Sequence, residues 1–126
     1  MKYKRLLSCK RILITGGAGF IGGCLIRKLL NTSDSKIFNL DKLSYASNLD
    51  WIDKNKDNHY LLKVDLVNRL EVEEAIRYSD PDVVMHLAAE SHVDRSIESP
   101  SSFIESNILG TFNLLSSVLR HWENLP

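Results

Sequence analysis

The segment Thr15-Gly16-Gly17-Ala18-Gly19-Phe20-Ile21-Gly22 puts glycine at the points where backbone would have to approach a ligand. It reads in two frames, as G-x-G-x-x-G from Gly17 or as T-G-x-x-G-x-x-G from Gly16. Either frame bares backbone amides at the start of a helix. Such amides and the helix dipole attract an anionic phosphate, which any β-carbon there would push away. Asp41 follows the turn by about 20 residues, the spacing at which a carboxylate accepts hydrogen bonds from an adenosine ribose. The pair points to a bound dinucleotide. A carboxylate at Asp41 would repel a 2′-phosphate, so NAD is favoured over NADP, with Lys42 partly offsetting the preference. The plainer alternatives are a tight turn and a carboxylate that only caps a loop.

These residues need a scaffold that holds them together. Arg11 to Thr15 is a short β-branched run, hence a strand, and Ile21, Cys24, Leu25 and Leu29 then recur at helical spacing against polar Arg27, Lys28 and Asn31. Lys36 to Asp41 predicts a second strand and His59 to Val64 a third. Between them, residues 42–58 are long for a plain connection. They form either a functional segment, anchored by Trp51, or a short helix around Leu49 to Lys54. Asn68 with Glu71 forms a capping pair for a helix running to about Ser79. Asp82 to Leu87 is a fourth strand after Pro81, and Ser99-Pro100 supplies a cap and first-turn proline for a long helix to about Trp122. Strands alternating with helices, joined by right-handed crossovers, predict an α/β fold: a Rossmann-type, doubly wound parallel sheet, truncated, of strand order 3-2-1-4.

The last helix carries two apolar stripes. One holds Ile104, Ile108, Phe112, Leu115, Leu119 and Trp122; the other holds Phe103, Leu114 and Val118. One can cover the sheet, and the other calls for more chain or a second subunit.

Composition narrows the class. The 126 residues suit one domain, and 44% hydrophobic with 25% charged residues is ordinary for a soluble globular protein. Sixteen basic and sixteen acidic residues cancel, so no overall field draws the chain to nucleic acid or an anionic membrane. Cys9 and Cys24 lack the spacing of a zinc site or a disulfide framework and read as free thiols of a reducing cytoplasm; no metal site is expected. Residues 1–10 form a basic leader in which only Leu6 and Leu7 precede Ser8-Cys9, short of the roughly 7 to 15 apolar residues of a secretory signal. No run reaches the roughly 18 apolar residues that span a bilayer.

Three stretches resemble the nucleotide-sugar 4,6-dehydratases of the extended short-chain dehydrogenase type. They are Ile12 to Gly22, Asp41-Lys42-Leu43-Ser44-Tyr45-Ala46-Ser47-Asn48-Leu49, and Met85-His86-Leu87-Ala88-Ala89-Glu90-Ser91-His92-Val93-Asp94-Arg95-Ser96. The likeness continues through Phe103-Ile104-Glu105-Ser106-Asn107 to Gly110-Thr111, so residues 11–126 are expected to be an NAD-binding domain, incomplete at its C-terminus. By that resemblance Gly16, Gly19, Phe20, Ile21 and Gly22 hold the pyrophosphate. Asp41, Lys42, Leu43 and Ser44 surround the ribose, and Asp65 and Leu66 border the adenine. Leu87, Ala88, Ala89, Glu90 and Ser91 line the nicotinamide side with Ser106 nearby, and Ser91 also reaches the sugar-nucleotide substrate.

Some of these positions read two ways. Asp65 is an adenine ligand or an exposed loop carboxylate; Leu87, Ala88 and Ala89 are site residues or small core residues. His92, Asp94 and Arg95 read more readily as solvated loop charges or a local ion pair than as catalytic groups. Asn107 and Thr111 are functional or satisfy one another's side chains. Ser44 and Ser106 stand where the family usually has threonine, and Ser47 where it usually has glycine, a residue free to adopt a positive φ.

The family's reaction uses NAD to oxidise the sugar at C4, eliminates water across C5 and C6 and returns the hydride to C6. It needs a tyrosine with a lysine four residues on, plus an acid pair. Tyr3, Tyr45, Tyr60 and Tyr78 are followed at that distance by Leu7, Leu49, Val64 and Asp82. No catalytic residue is therefore expected in this chain, the substrate domain is expected to lie beyond Pro126, and the piece alone should be marginally stable or self-associate, as a homodimer through the C-terminal helix. The other expectations are an epimerase or dehydratase acting on a UDP- or GDP-sugar, and a non-catalytic NAD-binding or interaction protein.

Overall fold

The computed structural model describes residues 9–53 and 56–126. The leader up to Ser8, and Lys54 at the end of the suggested short helix, lie outside the described residues. Four parallel strands form one sheet: β1 (Arg11–Thr15), β2 (Lys36–Asp41), β3 (His59–Lys63) and β4 (Val83–His86), in the order β3-β2-β1-β4. The helices are α1 (Phe20–Thr32), α2 (Arg69–Ser79), α3 (Val93–Glu98), α4 (Pro100–Ile104) and α5 (Gly110–Glu123). A π-helical turn, Glu105–Leu109, joins α4 to α5. The chain is an α/β protein with a Rossmann-like parallel sheet of order 3-2-1-4, as the strand spacing predicts. By internal contacts it divides into two compact units, one of residues through Lys63 with Ser79–Ala88, the other of Val64–Tyr78 with Ala89–Pro126.

The first unit contains the whole sheet. β1 lies between two strands, with Ile12 opposite Ile37 of β2 and Val83 of β4, and Thr15 opposite Leu40 and His86. Such a strand is buried on both faces, which is why its sequence is continuously apolar rather than alternating. Ile12, Ile14 and Ile37 pack with Ile26, Leu29 and Leu30 of α1 and with Ile52, the inward anchor of the loop after β2. At the N-terminal ends of β1 and β4, Asp82 ties both strands: its carboxylate accepts the amides of Lys10 (2.8 Å) and Arg11 (2.9 Å). Residues Leu49 to Ile52 do not form the suggested helix. They make a hydrogen-bonded turn, Ile52 N to Leu49 O, because Trp51 and Ile52 are drawn to α1 instead of extending a helix of their own.

In the second unit, α2 begins where Asn68 Oδ1 accepts the Glu71 amide (3.3 Å), as the Asn68 and Glu71 spacing predicts, and it buries Val72, Ala75 and Ile76. The long C-terminal helix departs from the expectation in two ways. Ser99 makes no side-chain cap bond, so Pro100 alone marks its start. And the helix widens into the π turn at Glu105–Leu109, where Asn107 is held from outside the helix. A short helix, α3, also occupies Val93–Glu98, so His92 stands at its N-cap position without a side-chain capping bond, and Asp94 and Arg95 ride on it rather than on a loop. Its apolar residues Val93 and Ile97 are exposed, so it has no buried stripe that periodicity could detect.

Candidate functional site

The glycine turn closes the C-terminal end of β1. Gly16 has φ +73°, and a β-carbon on it would lie 2.7 Å from the Ala88 amide nitrogen. Its own amide bonds to Leu40 O at 2.9 Å, so the turn is clamped between the ends of β2 and β4. Gly22 is needed for close approach: a β-carbon there would run into the Gly16 carbonyl oxygen. Gly19 is the N-cap of α1, in extended conformation, and supplies no side-chain cap; nor does the first turn carry an acid. The leading amides of a helix without a cap demand an acceptor, and an anion satisfies them. Phe20 and Ile21, 78% and 69% exposed, stand open at this helix start.

Asp41 reaches back to that turn. Its Oδ2 accepts the Ala18 amide (3.0 Å), while Oδ1 accepts the Leu43 amide (2.7 Å) and the Ser47 hydroxyl (3.3 Å). A carboxylate offers about four acceptor positions, so three are engaged and about one stays open to an external hydroxyl. Asp41 therefore does cap its loop, and still keeps capacity for a ribose. The positive φ near Asp41 falls on Leu43 (+59°), not on Ser47, which instead bonds Ser44 O through its amide. The Asp41–Leu43 bond is what holds leucine in that region. Lys42 is exposed and Ser44 half-buried beside it.

The loop after β2 covers one flank of α1. Asn48 N bonds Ala18 O at 2.7 Å. Trp51 lies against Gly23, meets Phe20 edge-on with centroids 5.8 Å apart, and carries the Arg27 guanidinium over its ring at 5.3 Å. At the end of β4, Leu87 and Ala88 turn their amides onto Thr15 Oγ1, and the same oxygen sits 2.6 Å from His86 Nδ1. Burial holds the His86 imidazole below its ordinary pKa. Thr15 and His86 were not among the expected site residues. Thr15 opens the T-G-x-x-G-x-x-G pattern and His86 lies in the third stretch of resemblance, but spacing gave neither a role, and only the geometry joins them.

In the second unit, the exposed Asp65 forms its own turn, with Oδ1 accepting the Val67 amide (3.1 Å). Leu66 is buried, and its carbonyl receives Asn113 Nδ2 at 2.9 Å. Ala89 and Ser91 are exposed, and Glu90 is half-buried. Asn107 takes Glu90 by both backbone groups, and Ser106, half-buried, lies next to it in the π turn. Thr111 Oγ1 donates to the Asn107 backbone carbonyl (2.7 Å), so the two residues do not pair side chain to side chain. Within the first unit the structure thus brings together Gly16, Gly19, Gly22, Asp41 and Ala88; within the second it joins Glu90 to the turn bearing Ser106.

A parallel sheet of this order, with a glycine turn and a carboxylate at the ends of its first two strands, defines a Rossmann-like α/β protein. The chain belongs to the family described as GDP-mannose 4,6 dehydratase, whose sequence model matches residues 13–125. Within that family it is similar to dTDP-glucose 4,6-dehydratase of Neisseria meningitidis, 45% identical over 119 residues, which cover 93% of this chain and 34% of that protein. The enzyme of the same name from Salmonella typhimurium is also 45% identical, over 91% of this chain and 32% of its own. Among solved structures, dTDP-glucose 4,6-dehydratase DesIV from Streptomyces venezuelae, with NAD and TYD bound, superposes with a TM-score of 0.82 at 34% identity, over 89% of this chain and 36% of that one. UDP-glucose 4-epimerase of Thermus thermophilus in complex with NAD gives 0.80 at 35% identity, over 89% and 34%. The chain spans about a third of the length of these relatives.

Proposed function

We propose that this chain is the NAD-binding portion of a dTDP-glucose 4,6-dehydratase, a lyase that converts dTDP-glucose to dTDP-4-keto-6-deoxyglucose and water. The observation that carries the proposal is the Asp41 carboxylate. It is tied to the glycine turn through Ala18 N, and about one acceptor position remains for a ribose hydroxyl next to the bared helix start. The pyrophosphate would rest on Gly16, Gly19, Phe20, Ile21 and Gly22. The adenosine would lie by Asp41, Lys42, Leu43 and Ser44, with Asp65 and Leu66 toward the base. Leu87, Ala88, Ala89, Glu90, Ser91 and Ser106 would serve the nicotinamide side, and Ser91 the sugar nucleotide.

No tyrosine in the 126 residues has lysine four positions on, so the chain by itself is expected to turn over no sugar nucleotide. The Thermus epimerase supports a second reading, in which the substrate is a UDP-sugar. The 45% identity to the Neisseria and Salmonella dehydratases favours the dTDP-sugar. The proposal includes a cytoplasmic location, supported by Cys9 and Cys24, which form no disulfide. It also includes a homodimer through α5, supported by the exposed stripe that runs from Ile104 to Trp122.

Calorimetry with NAD, NADP and ADP-ribose on the folded chain tests the binding claim. NAD and ADP-ribose should bind and NADP should bind more weakly; a folded sample giving no heat with millimolar NAD refutes it.

A further inference from the structure

Thr15 Oγ1 has three polar neighbours: the amides of Leu87 and Ala88, each at 3.1 Å, and His86 Nδ1 at 2.6 Å. A hydroxyl has two lone pairs and one proton. The two amides can only donate, so they fill both lone pairs. The hydroxyl proton then has one direction left, toward His86 Nδ1, which must accept it. An imidazole that accepts at Nδ1 is neutral and carries its proton on Nε2.

We infer that His86 is a positioning residue: through the Thr15 hydroxyl it latches the end of β4 to the end of β1 and fixes where the Leu87 and Ala88 backbone lies. The fixed point matters because Ala88 packs directly on Gly16, the one glycine of positive φ in the turn. Were the Thr15 rotor free, its lone pairs would not face the two amides, and the backbone that leaves β4 could shift against the glycine turn. The two amides are not equivalent in this latch. Leu87 N also bonds Thr15 O at 3.1 Å as part of the strand ladder, whereas among the described residues Ala88 N bonds the hydroxyl alone. The low pKa that burial gives His86 agrees with a ring held neutral, and the assignment stands on the hydrogen-bond geometry without it. An effect on cofactor affinity is a further step, which rests on the NAD reading above.

The test uses the 126-residue chain, ¹⁵N-labelled, with Thr15→Val, Thr15→Ser and His86→Phe. Long-range imidazole NMR of the unaltered chain should show His86 with Nδ1 unprotonated and Nε2 protonated. Hydrogen exchange of the Ala88 amide should accelerate about tenfold in Thr15→Val and His86→Phe, with Leu87 moving less, the distant Phe38 amide unchanged, and Thr15→Ser restoring the original rate. A proton on Nδ1 overturns the inference. So does an Ala88 rate that His86→Phe leaves untouched, since the hydroxyl would then need no imidazole. If Thr15→Val fails to fold, the tautomer and His86→Phe decide alone. NAD titration of the same variants separates the two claims. Weakening of about tenfold in Thr15→Val and His86→Phe but not Thr15→Ser extends the latch to the cofactor. An unaltered chain that binds no NAD defeats the proposed function, and the latch is then judged on tautomer and exchange.

Discussion

Asn107 holds the backbone of Glu90 by both of its groups: Oδ1 accepts the Glu90 amide at 2.8 Å and Nδ2 donates to the Glu90 carbonyl at 2.9 Å. An asparagine amide is one of the few side chains that can mimic a neighbouring strand in this way, giving and taking one bond each. The residue sits inside the π turn, and the widened helix is what aims it at the Glu90 peptide. Asn107→Leu should therefore lower stability by about 1 to 3 kcal/mol, because it strands two partly buried backbone groups. Asn107→Asp should do worse than Asn107→Ser, since a carboxylate oxygen would face the Glu90 carbonyl. Urea midpoints of the three variants check the ranking.

The glycine turn makes a sharper demand. Gly16→Ala meets both a left-handed backbone (φ +73°) and Ala88 backbone atoms that cannot move aside without disturbing β4. Gly22→Ala meets the Gly16 carbonyl oxygen instead. Each substitution should cost about 2 kcal/mol or more, whereas Gly19→Ala, whose β-carbon would stay 3.3 Å from the nearest atom, should cost less. Thermal melts of the three single variants give the order. A Gly22→Ala chain as stable as the parent would contradict the close approach.

These two sites show what a sequence can and cannot disclose. The sheet was legible because buried parallel strands are short apolar runs, and the Arg11–Thr15 and Lys36–Asp41 boundaries coincide with the observed ones; β3 and β4 differ from the expected spans only at their ends. Gly16, Gly22 and Asp41 were legible because their chemistry depends on spacing along one strand-turn-helix segment. The Asn107 clamp and the Thr15–His86 bond were not, since each joins residues far apart in sequence whose types are common in surface loops. Helix α3 escaped for a different reason: it buries nothing, so it leaves no periodic trace.

Asn39 lies in the middle of β2, fully buried, with neither amide atom of its side chain hydrogen-bonded. Its Oδ1 lies against Gly17, so close that a β-carbon there would run into it. An unsatisfied buried amide costs about 1 to 3 kcal/mol, so Asn39→Val, which suits a strand and reaches no farther than the γ position, should raise stability by about 1 kcal/mol. The urea midpoint reads it directly. A fall instead would mean that an internal water serves the amide and is lost with it.

Two histidines make the fold acid-sensitive. Burial lowers the pKa of both His59 and His86 below the ordinary 6.5, and His59 Nε2 is buried without a hydrogen-bond partner. In the folded chain each ring therefore binds its proton less readily than in the unfolded one. As the pH falls through 6.5 the unfolded state takes up protons first, so stability drops across the window between 6.5 and the lowered folded values and levels off below them. His59→Phe should flatten part of that slope. Urea midpoints measured on either side of the window, in parent and variant, check both the sign and the share due to His59.

The exposed stripe on the last helix sets the final prediction. Ile104, Ile108, Phe112, Leu115, Leu119 and Trp122 recur at helical spacing from α4 to α5, and Phe112 and Trp122 are 63% and 67% exposed. So continuous an apolar face on a helix whose other side buries Leu114 is what a contact between two copies would cover. Sedimentation velocity should therefore find the chain self-associating at micromolar concentration. In a symmetric contact each copy contributes the same helix, so one charge enters twice, and Phe112→Asp should shift the chain to monomer without lowering its own melting cooperativity. Leu119→Asp should act in the same direction. Glu73, by contrast, already pairs with Arg69 and Arg120 away from the stripe, and Glu73→Ala should leave association unchanged. A chain that sediments as a monomer at every concentration would remove α5 as a dimer surface.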